Sequence, residues 1–316
     1  MPNYNSYAVP RLALREAILE YPLTQPGFIG VQLFPITPVM EKAGKVTVIT
    51  RESITRARDV KRAVRSASNR DTYEGEDMAY QTEGYSHEEL LDDEERAQYA
   101  NDFDAELTTA QVTYDVLLRE QEKRIAAVVQ NTTTFTGAPL YTDRSGTPWA
   151  TVGTDIIGHV DAAKDKVRTN CGVEADTLVI SRATLPSLKN NTAILERVKY
   201  VARATEAEIV NGLADLFGLK RVLIGGAVKN TALEGAGYSG ADVWSGTYAM
   251  ICKSAVTKSL KEPGIGRTLL WTRLTPDNVM VDSYREEQTI STVFRVRQHT
   301  QEKLIDSAYG HLLKVA

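Results

Sequence analysis

Cysteine is scarce in this chain: 316 residues hold only Cys171 and Cys252. The two lie far apart among apolar or small neighbours, so neither a disulfide framework nor a cysteine zinc site is expected. A reducing place of synthesis follows. Histidine is nearly as rare. His87, His159, His299 and His311 are scattered, and none falls in a His-Glu-x-x-His or similar ligand spacing, so no metal site is expected. A serine nucleophile elbow of the Gly-x-Ser-x-Gly kind is missing too. Charge of one sign is not in excess. A net charge of -4 excludes a chain that binds nucleic acid over its whole surface, while local patches stay open. Long apolar runs are absent, and Met1-Pro-Asn-Tyr-Asn does not open a signal peptide. The chain is expected to be made and used in water, with no membrane partner.

What is present is 42% hydrophobic residues, enough for real cores, and one very long helical pattern. From Asp102 to Asn131, apolar residues recur at spacings of three and four through Leu107, Ala110, Tyr114, Leu117, Ile125 and Val128. Acids open the stretch (Asp102, Asp104, Glu106) and bases come near its end (Lys123, Arg124), which suits the helix dipole. Such a helix spans on the order of 40 Å at 1.5 Å per residue. Its apolar stripe is expected to lie on a sheet that includes Thr289 to Arg297.

Upstream of it, residues 1–45 carry Pro2, Pro10, Pro22, Pro26, Pro35 and Pro38, with a brief helical pattern at Leu12 to Leu19. Proline ends helices and removes ladder donors, so the remainder is expected to be extended. Phe28, Ile29, Leu33 and Phe34 in this arm need a surface to lie on. A strand follows at Lys45 to Thr50, and then the charge polarises. Arg51, Arg56, Arg58, Lys61, Arg62 and Arg65 precede Glu74, Glu76, Asp77, Glu83, Asp92 and Asp93. Charge runs are often plain solvated loops. A two-stranded excursion whose opposite poles meet complementary poles on adjacent copies is the sharper expectation, and these twelve residues are its candidate contacts.

After the long helix, Thr132 to Gly153 reads as a connection with turns. A mixed αβ region then begins. Asp155 or Thr154 caps a helix bearing Ile156, Val160, Ala163 and Val167 that stops near Gly172. Thr177 to Ser181 is a short buried strand, and a helix capped at Thr205 stops at Gly218 and feeds the strand Arg221 to Ile224. Val243-Trp244 and Tyr248 to Cys252 read as strands. In Thr289 to Arg297, Ile290, Thr292, Phe294 and Val296 alternate with Arg295 and Arg297, as in a strand with one buried face.

Two glycine-rich segments invite a cofactor reading. Gly235-Ala-Gly237-Tyr-Ser-Gly240 spells the dinucleotide fingerprint, but the preceding strand ends near Ile224 and no amphipathic helix opens after Gly240. Gly264-Ile-Gly-Arg-Thr268 lacks the early glycine and the lysine of a phosphate loop. No catalytic residue and no cofactor are expected. A soluble αβ enzyme with a nucleotide site at Gly235 to Gly240 is kept as the alternative of another class.

The order of these parts carries a resemblance. Glu206 through Leu216-Phe-Gly218, the strand at Arg221, and the turn with Asn230 look like one region of a known family; Thr177 to Lys189 looks like the strand and short helix before it. The chain resembles the major capsid proteins of tailed bacteriophages, with the Hong Kong 97 type shell fold, over nearly its whole length. The resemblance implies an α+β fold with residues 1–45 as an extended N-arm, 46–101 as the E-loop, 102–153 and 286–316 as a peripheral domain with its spine helix, and 154–285 as an axial domain. It further implies a structural protein that forms hexamers and pentamers of an icosahedral head around double-stranded DNA, bound on the inner face without sequence specificity. A portal, a separate scaffolding protein, assembly in the host cytoplasm and residence in the virion go with it. Family members that crosslink covalently join an E-loop lysine to an asparagine of a neighbour. Lys61 has no asparagine matched to it, so no crosslinking is expected. An encapsulin-like compartment with the same fold is the nearest alternative, which a helix at Leu12 to Leu19 keeps open.

Overall fold

The computed structural model describes residues 9–24, 27–58, 60–62, 64–70, 72, 75–99, 104–198, 206–233, 235–275 and 278–316. Strand β1 (Val9–Pro10) precedes helix α1 (Leu12–Thr24), the short helix α2 (Gly30–Leu33) and strand β2 (Ile36–Val39). The charged excursion holds β3 (Ala43–Ile49), α3 (Arg51–Thr55) and β4 (Gly75–Gln81). Strand β5 (Glu83–Asp92) and helix α4 (Asp93–Tyr99) lead to the long helix α5 (Ala105–Val129). Next come α6 (Gly137–Leu140), β6 (Tyr141–Asp143), α7 (Ile156–Cys171), β7 (Thr177–Ser181), α8 (Leu185–Lys189), α9 (Thr192–Val198), α10 (Glu206–Phe217) and β8 (Arg221–Gly225). The chain ends through β9 (Val228–Asn230), β10 (Gly240–Asp242), β11 (Tyr248–Cys252), β12 (Gly266–Trp271), β13 (Met280–Glu286), β14 (Ser291–Leu304) and β15 (Gly310–Lys314).

Two sheets dominate. One has the order β1-β13-β14-β12-β2, with β5 also paired to β14; the other has the order β6-β15-β11-β7-β8. The long helix joins their cores. Its first half packs Ala110, Tyr114, Leu117 and Leu118 with Val279, Val281 and Val296 of the first sheet region. Its second half sends Ile125, Ala126 and Val129 into the core shared by α7 and the second sheet. At about 25 cal/mol per Å² of apolar area, each fully buried leucine or isoleucine here contributes about 2 kcal/mol. Asp104 caps the helix by accepting from Leu107 N–H at 3.2 Å, and with 25 residues it spans about 37 Å.

The expected starting residue Asp102 lies outside the described residues, as do Glu74 and Thr205. Helix α7 behaves as its sequence says: Asp155 accepts from Gly158 N–H, and Gly172 ends it in the left-handed region at φ 72°.

Several elements differ from expectation. The arm is not extended throughout, because α1 continues past Pro22 to Thr24 and α2 forms at Gly30. Near a helix end a proline removes one backbone donor without ending the helix. Pro10 and Pro38 do behave as edge residues, since β1 and β2 are outer strands of the first sheet. Val243-Trp244 is not a strand; the pairing runs one step earlier, with β10 against β9, and Trp244 is buried in the core. The sheets also do not divide at 153, 154 and 286. Strands β6 and β15, from segments expected to be peripheral, lie in the second sheet, while β12 and β13, from the segment expected to be axial, lie in the first.

Candidate functional site

The charged excursion projects as a two-stranded antiparallel ladder, β3 on β4, from Ala43↔Gln81 to Ile49↔Gly75. Thr47 Oγ1 donates to Asp77 at 2.8 Å across it, and Thr82 closes its base by donating to Lys42 O. β-branched residues at Val46, Thr47, Val48 and Ile49 suit a strand, whereas the segment that follows has almost no apolar payload. Arg56, Lys61, Arg62 and Arg65 are exposed there, and Arg58 donates to Ser53 O at 3.2 Å.

The two limbs pair elsewhere in the chain. Arg51 faces Asp306 at 4.0 Å, and Asp93 takes Arg285 in two contacts of 2.7 Å, which hold its carboxyl below the usual range. Glu83 accepts from Tyr85 O–H, Asp92 accepts from Glu94 N–H, and Glu76 is exposed on β4. Neighbouring acids are likewise engaged, Glu88 by Arg295 and Tyr284, and Glu106 by Arg96 and Arg11. Behind them Asp282, almost fully buried on β13, faces Arg295 at 3.2 Å and Arg297 at 3.0 Å. The acidic limb is thus largely spent on its own sheet, and the basic limb stands out into solvent.

The second feature is a joint that no sequence pattern announces. Glu122 lies on the apolar stripe of α5, one turn from Leu118 and from Ile125, and is 3% exposed. Its carboxylate accepts from Ile29 N–H at 2.9 Å, Gly30 N–H at 2.8 Å and Trp244 Nε1–H at 2.6 Å. Burial pushes this carboxyl above its usual range, and the bonds from Ile29, Trp244 and Gly30 pull it back. A Cβ at residue 30 would sit 2.5 Å from Glu122 Oε2, so the close approach requires glycine. The arm is sewn down further where Gly226 N–H donates to Gly27 O, and where Arg221 and Ser254 donate to Gln32 O and Leu33 O. One carboxylate therefore ties together the arm, the long helix and the connection that leads into β11. Its sequence signal was an acid at a stripe position.

A third cluster closes the edge of the second sheet. His311 Nδ1–H donates to Pro139 O at 2.8 Å, because a carbonyl only accepts. Its Nε2 therefore accepts from Thr142 O–H at 2.9 Å, and Thr142 in turn accepts from Lys166 Nζ at 2.7 Å. Burial lowers the His311 pKa to about 4.

The glycine motif at Gly235 to Gly240 forms the turn of the β9–β10 hairpin, with Gly235 and Gly237 at positive φ, and not a strand-to-helix turn. Among the described residues no group of three or more His, Cys, Asp or Glu side chains could hold a metal ion, and no helix is long and apolar enough to cross a membrane. The grooves beside α3 are lined by Arg51, Glu52 and Ser307 among others, without a convergent set of perturbed acids and bases.

The whole chain resembles solved structures in fold. A crystal structure of a phage-related protein from Bordetella bronchiseptica superposes with a TM-score of 0.75 at 21% identity, covering 98% of each chain. The capsid of cyanophage P-SCSP1u superposes with a TM-score of 0.56 at 11% identity, covering 100% of this chain and 90% of that one. The fold is that of a phage capsid subunit. It is the Hong Kong 97 type expected from the order of parts. In sequence, the chain is similar to the major capsid protein of Burkholderia phage BcepMu, 23% identical over 258 residues that cover 78% of this chain and 79% of the relative. No family model matches the chain.

Proposed function

We propose that this chain is a major capsid protein, a structural subunit and not an enzyme, that assembles with itself into the hexamers and pentamers of a tailed-phage head. The observation that carries this reading is a capsid-subunit fold over the whole chain, joined to similarity with a phage major capsid protein over 258 residues. An arm with no core of its own, a projecting hairpin and a helix spanning two cores are costly in a monomer and useful in a lattice. The shell encloses double-stranded DNA held on its inner face without sequence specificity. Assembly takes place in the host cytoplasm around a separate scaffolding protein and a portal, and the product resides in the virion.

Expressing the chain and imaging the void-volume fraction by negative stain tests the reading; closed shells are expected, and a monomer or dimer would sink it. The presence of α1 at Leu12–Thr24 favours, as the second reading, an encapsulin-like shell. Nucleic acid inside native particles supports the phage head, and an enzyme cargo supports the compartment.

The basic limb supplies contacts between copies. Arg51, Arg56, Arg58, Lys61, Arg62 and Arg65 are proposed to meet acids of adjacent subunits, with Glu74, Glu76, Asp77, Glu83, Asp92 and Asp93 the complementary set. Since Asp93 already binds Arg285 within its own chain, exposed Glu76 is the freer acceptor. Single exposed pairs contribute about 0 to 1 kcal/mol, and salt screens them over about 10 Å at 0.1 M. Changing Arg56, Arg62 and Arg65 together to glutamate is expected to raise the concentration needed for assembly and to reverse its salt dependence. Light scattering across a salt series measures both; unchanged behaviour would remove these residues from the interface.

A further inference from the structure

One edge of the second sheet gathers cations without acids. The segment from Pro139 to Trp149 runs antiparallel to α7 along one face of the helix and is held there at three points: Asn170 Nδ2 donates to Pro139 O at 2.8 Å, Lys166 Nζ to Thr142 Oγ1 at 2.7 Å, and Trp149 Nε1–H to His159 Nδ1 at 3.3 Å. Arg144 falls between the last two. Its N–H donates to Lys314 O, which fixes its backbone against β15, yet its guanidinium has no hydrogen-bond or ion-pair partner among the described residues, and its Nε is buried.

Two further donors flank it. Lys166 spends one ammonium proton on Thr142 and keeps the others. Because His159 Nδ1 accepts from Trp149, the neutral ring carries its proton on Nε2, and that N–H has no partner among the described residues. Two turns of α7, about 10 Å, separate Lys166 from His159, and the position between them is exposed Ala162, whose methyl leaves room for a ligand. The acids nearby are engaged elsewhere. Asp143 takes Lys314 and Ser145 N–H, Asp155 takes Gly158 N–H, Asp161 takes Lys164, and Asp165 takes Arg168. Burial lowers the pKa of Lys166 and of His159, and the Arg144 charge lowers both further, with Asp155 opposing it at His159. Such repulsion is what a bound anion relieves.

We propose that Arg144, Lys166 and His159 form a binding site for a phosphate group. The donor set favours phosphate over carboxylate. A guanidinium fork, an ammonium and an imidazole N–H come from two chain segments, and phosphate meets them with oxygens out of one plane and more than one charge, where a carboxylate has a single charge and its oxygens in one plane. The phosphate is free in solution or part of a nucleic-acid backbone, and its chemistry at the site is the same. The site is complete within one chain, so binding needs no shell.

A chemical footprint on the full-length chain tests this. Phenylglyoxal modifies Arg144 and an acetylating reagent modifies Lys166, and peptide mass spectrometry reads both rates beside those of exposed Arg62 and Lys258. Inorganic phosphate is expected to slow modification of Arg144 and Lys166 and to leave Arg62 and Lys258 unchanged, with acetate at equal ionic strength far weaker. Arg144→Gln is expected to raise the phosphate concentration that half-protects Lys166 about tenfold, as loss of one charged hydrogen-bond partner does. Lys166→Gln, whose amide still donates to Thr142, is expected to do the same for protection of Arg144. Since the Arg144 side chain has no partner to lose, its variant should unfold in urea as the parent does. No slowing, equal slowing at all four residues, equal protection by acetate, or half-protection unmoved in either variant would overturn the proposal. A short duplex DNA divides the sources: protection by the duplex supports a backbone phosphate, and protection by inorganic phosphate alone supports a free one.

Discussion

Replacing Glu122 with alanine is expected to destabilise the subunit by about 3 to 5 kcal/mol and to release the arm. The reason is the number of donors left behind. Ile29 N–H, Gly30 N–H and Trp244 Nε1–H all point at one carboxylate that is 3% exposed. An unpaired buried donor costs about 1 to 3 kcal/mol. The three do not add fully, because truncation opens room for water. Glu122→Gln should lie between, since one oxygen still accepts while its amide N–H faces the Gly30 or Ile29 N–H. Urea unfolding of unassembled subunits measures the loss, and protease cleavage around residues 27–34 measures the release. A cost under about 1 kcal/mol with an equally protected arm would show that the joint is incidental.

Acidification is expected to weaken the subunit through His311. Burial depresses its folded pKa to about 4, below the ordinary 6.5. Its contribution is therefore fully present above pH 6.5 and is lost as pH falls from 6.5 through 4, by up to about 3 kcal/mol. Protonation breaks the relay, because Nε2 can then no longer accept from Thr142 O–H, and it adds a buried positive charge close to Lys166. Glu122, with its pKa raised by burial, works in the opposite sense: its stabilisation is present at low pH and fades as pH rises. A difference experiment separates the two. His311→Asn can keep a donor toward Pro139 O and has no titration, so its stability deficit should shrink by about 3 kcal/mol between pH 7 and pH 4. A deficit constant with pH would show that His311 does not titrate in this window.

Much of the fold could be read from local pattern. Helix α5 was legible because its apolar residues keep the helical period for the length of the rod, and α7 because Asp155 and Gly172 mark its ends. Strand β14 was legible only in its first half. From Gln298 to Lys303 the sequence is polar, yet the strand continues because β5 and β12 supply ladder partners that no alternation of its own announces. The assignment of strands to sheets was hidden for the same reason: Tyr141 pairs with Leu312 and Thr268 with Ile36, across separations that pattern does not encode. Of the candidate contacts, the charge split was plain in sequence, but the use of Asp93 by Arg285 was not. Glu122 and His311 were missed because each looked ordinary until its buried neighbours were known.

The placement of the arm has a consequence for synthesis. Two outer strands of the first sheet, β1 and β2, come from the first forty residues, while the strands they join, β13 and β12, come after residue 265. Strands β1 and β2 must therefore wait, unpaired, until the chain has been made past residue 265. Contacts across such sequence separations form late. A nascent chain thus has no finished first sheet to present to a neighbouring copy before that point.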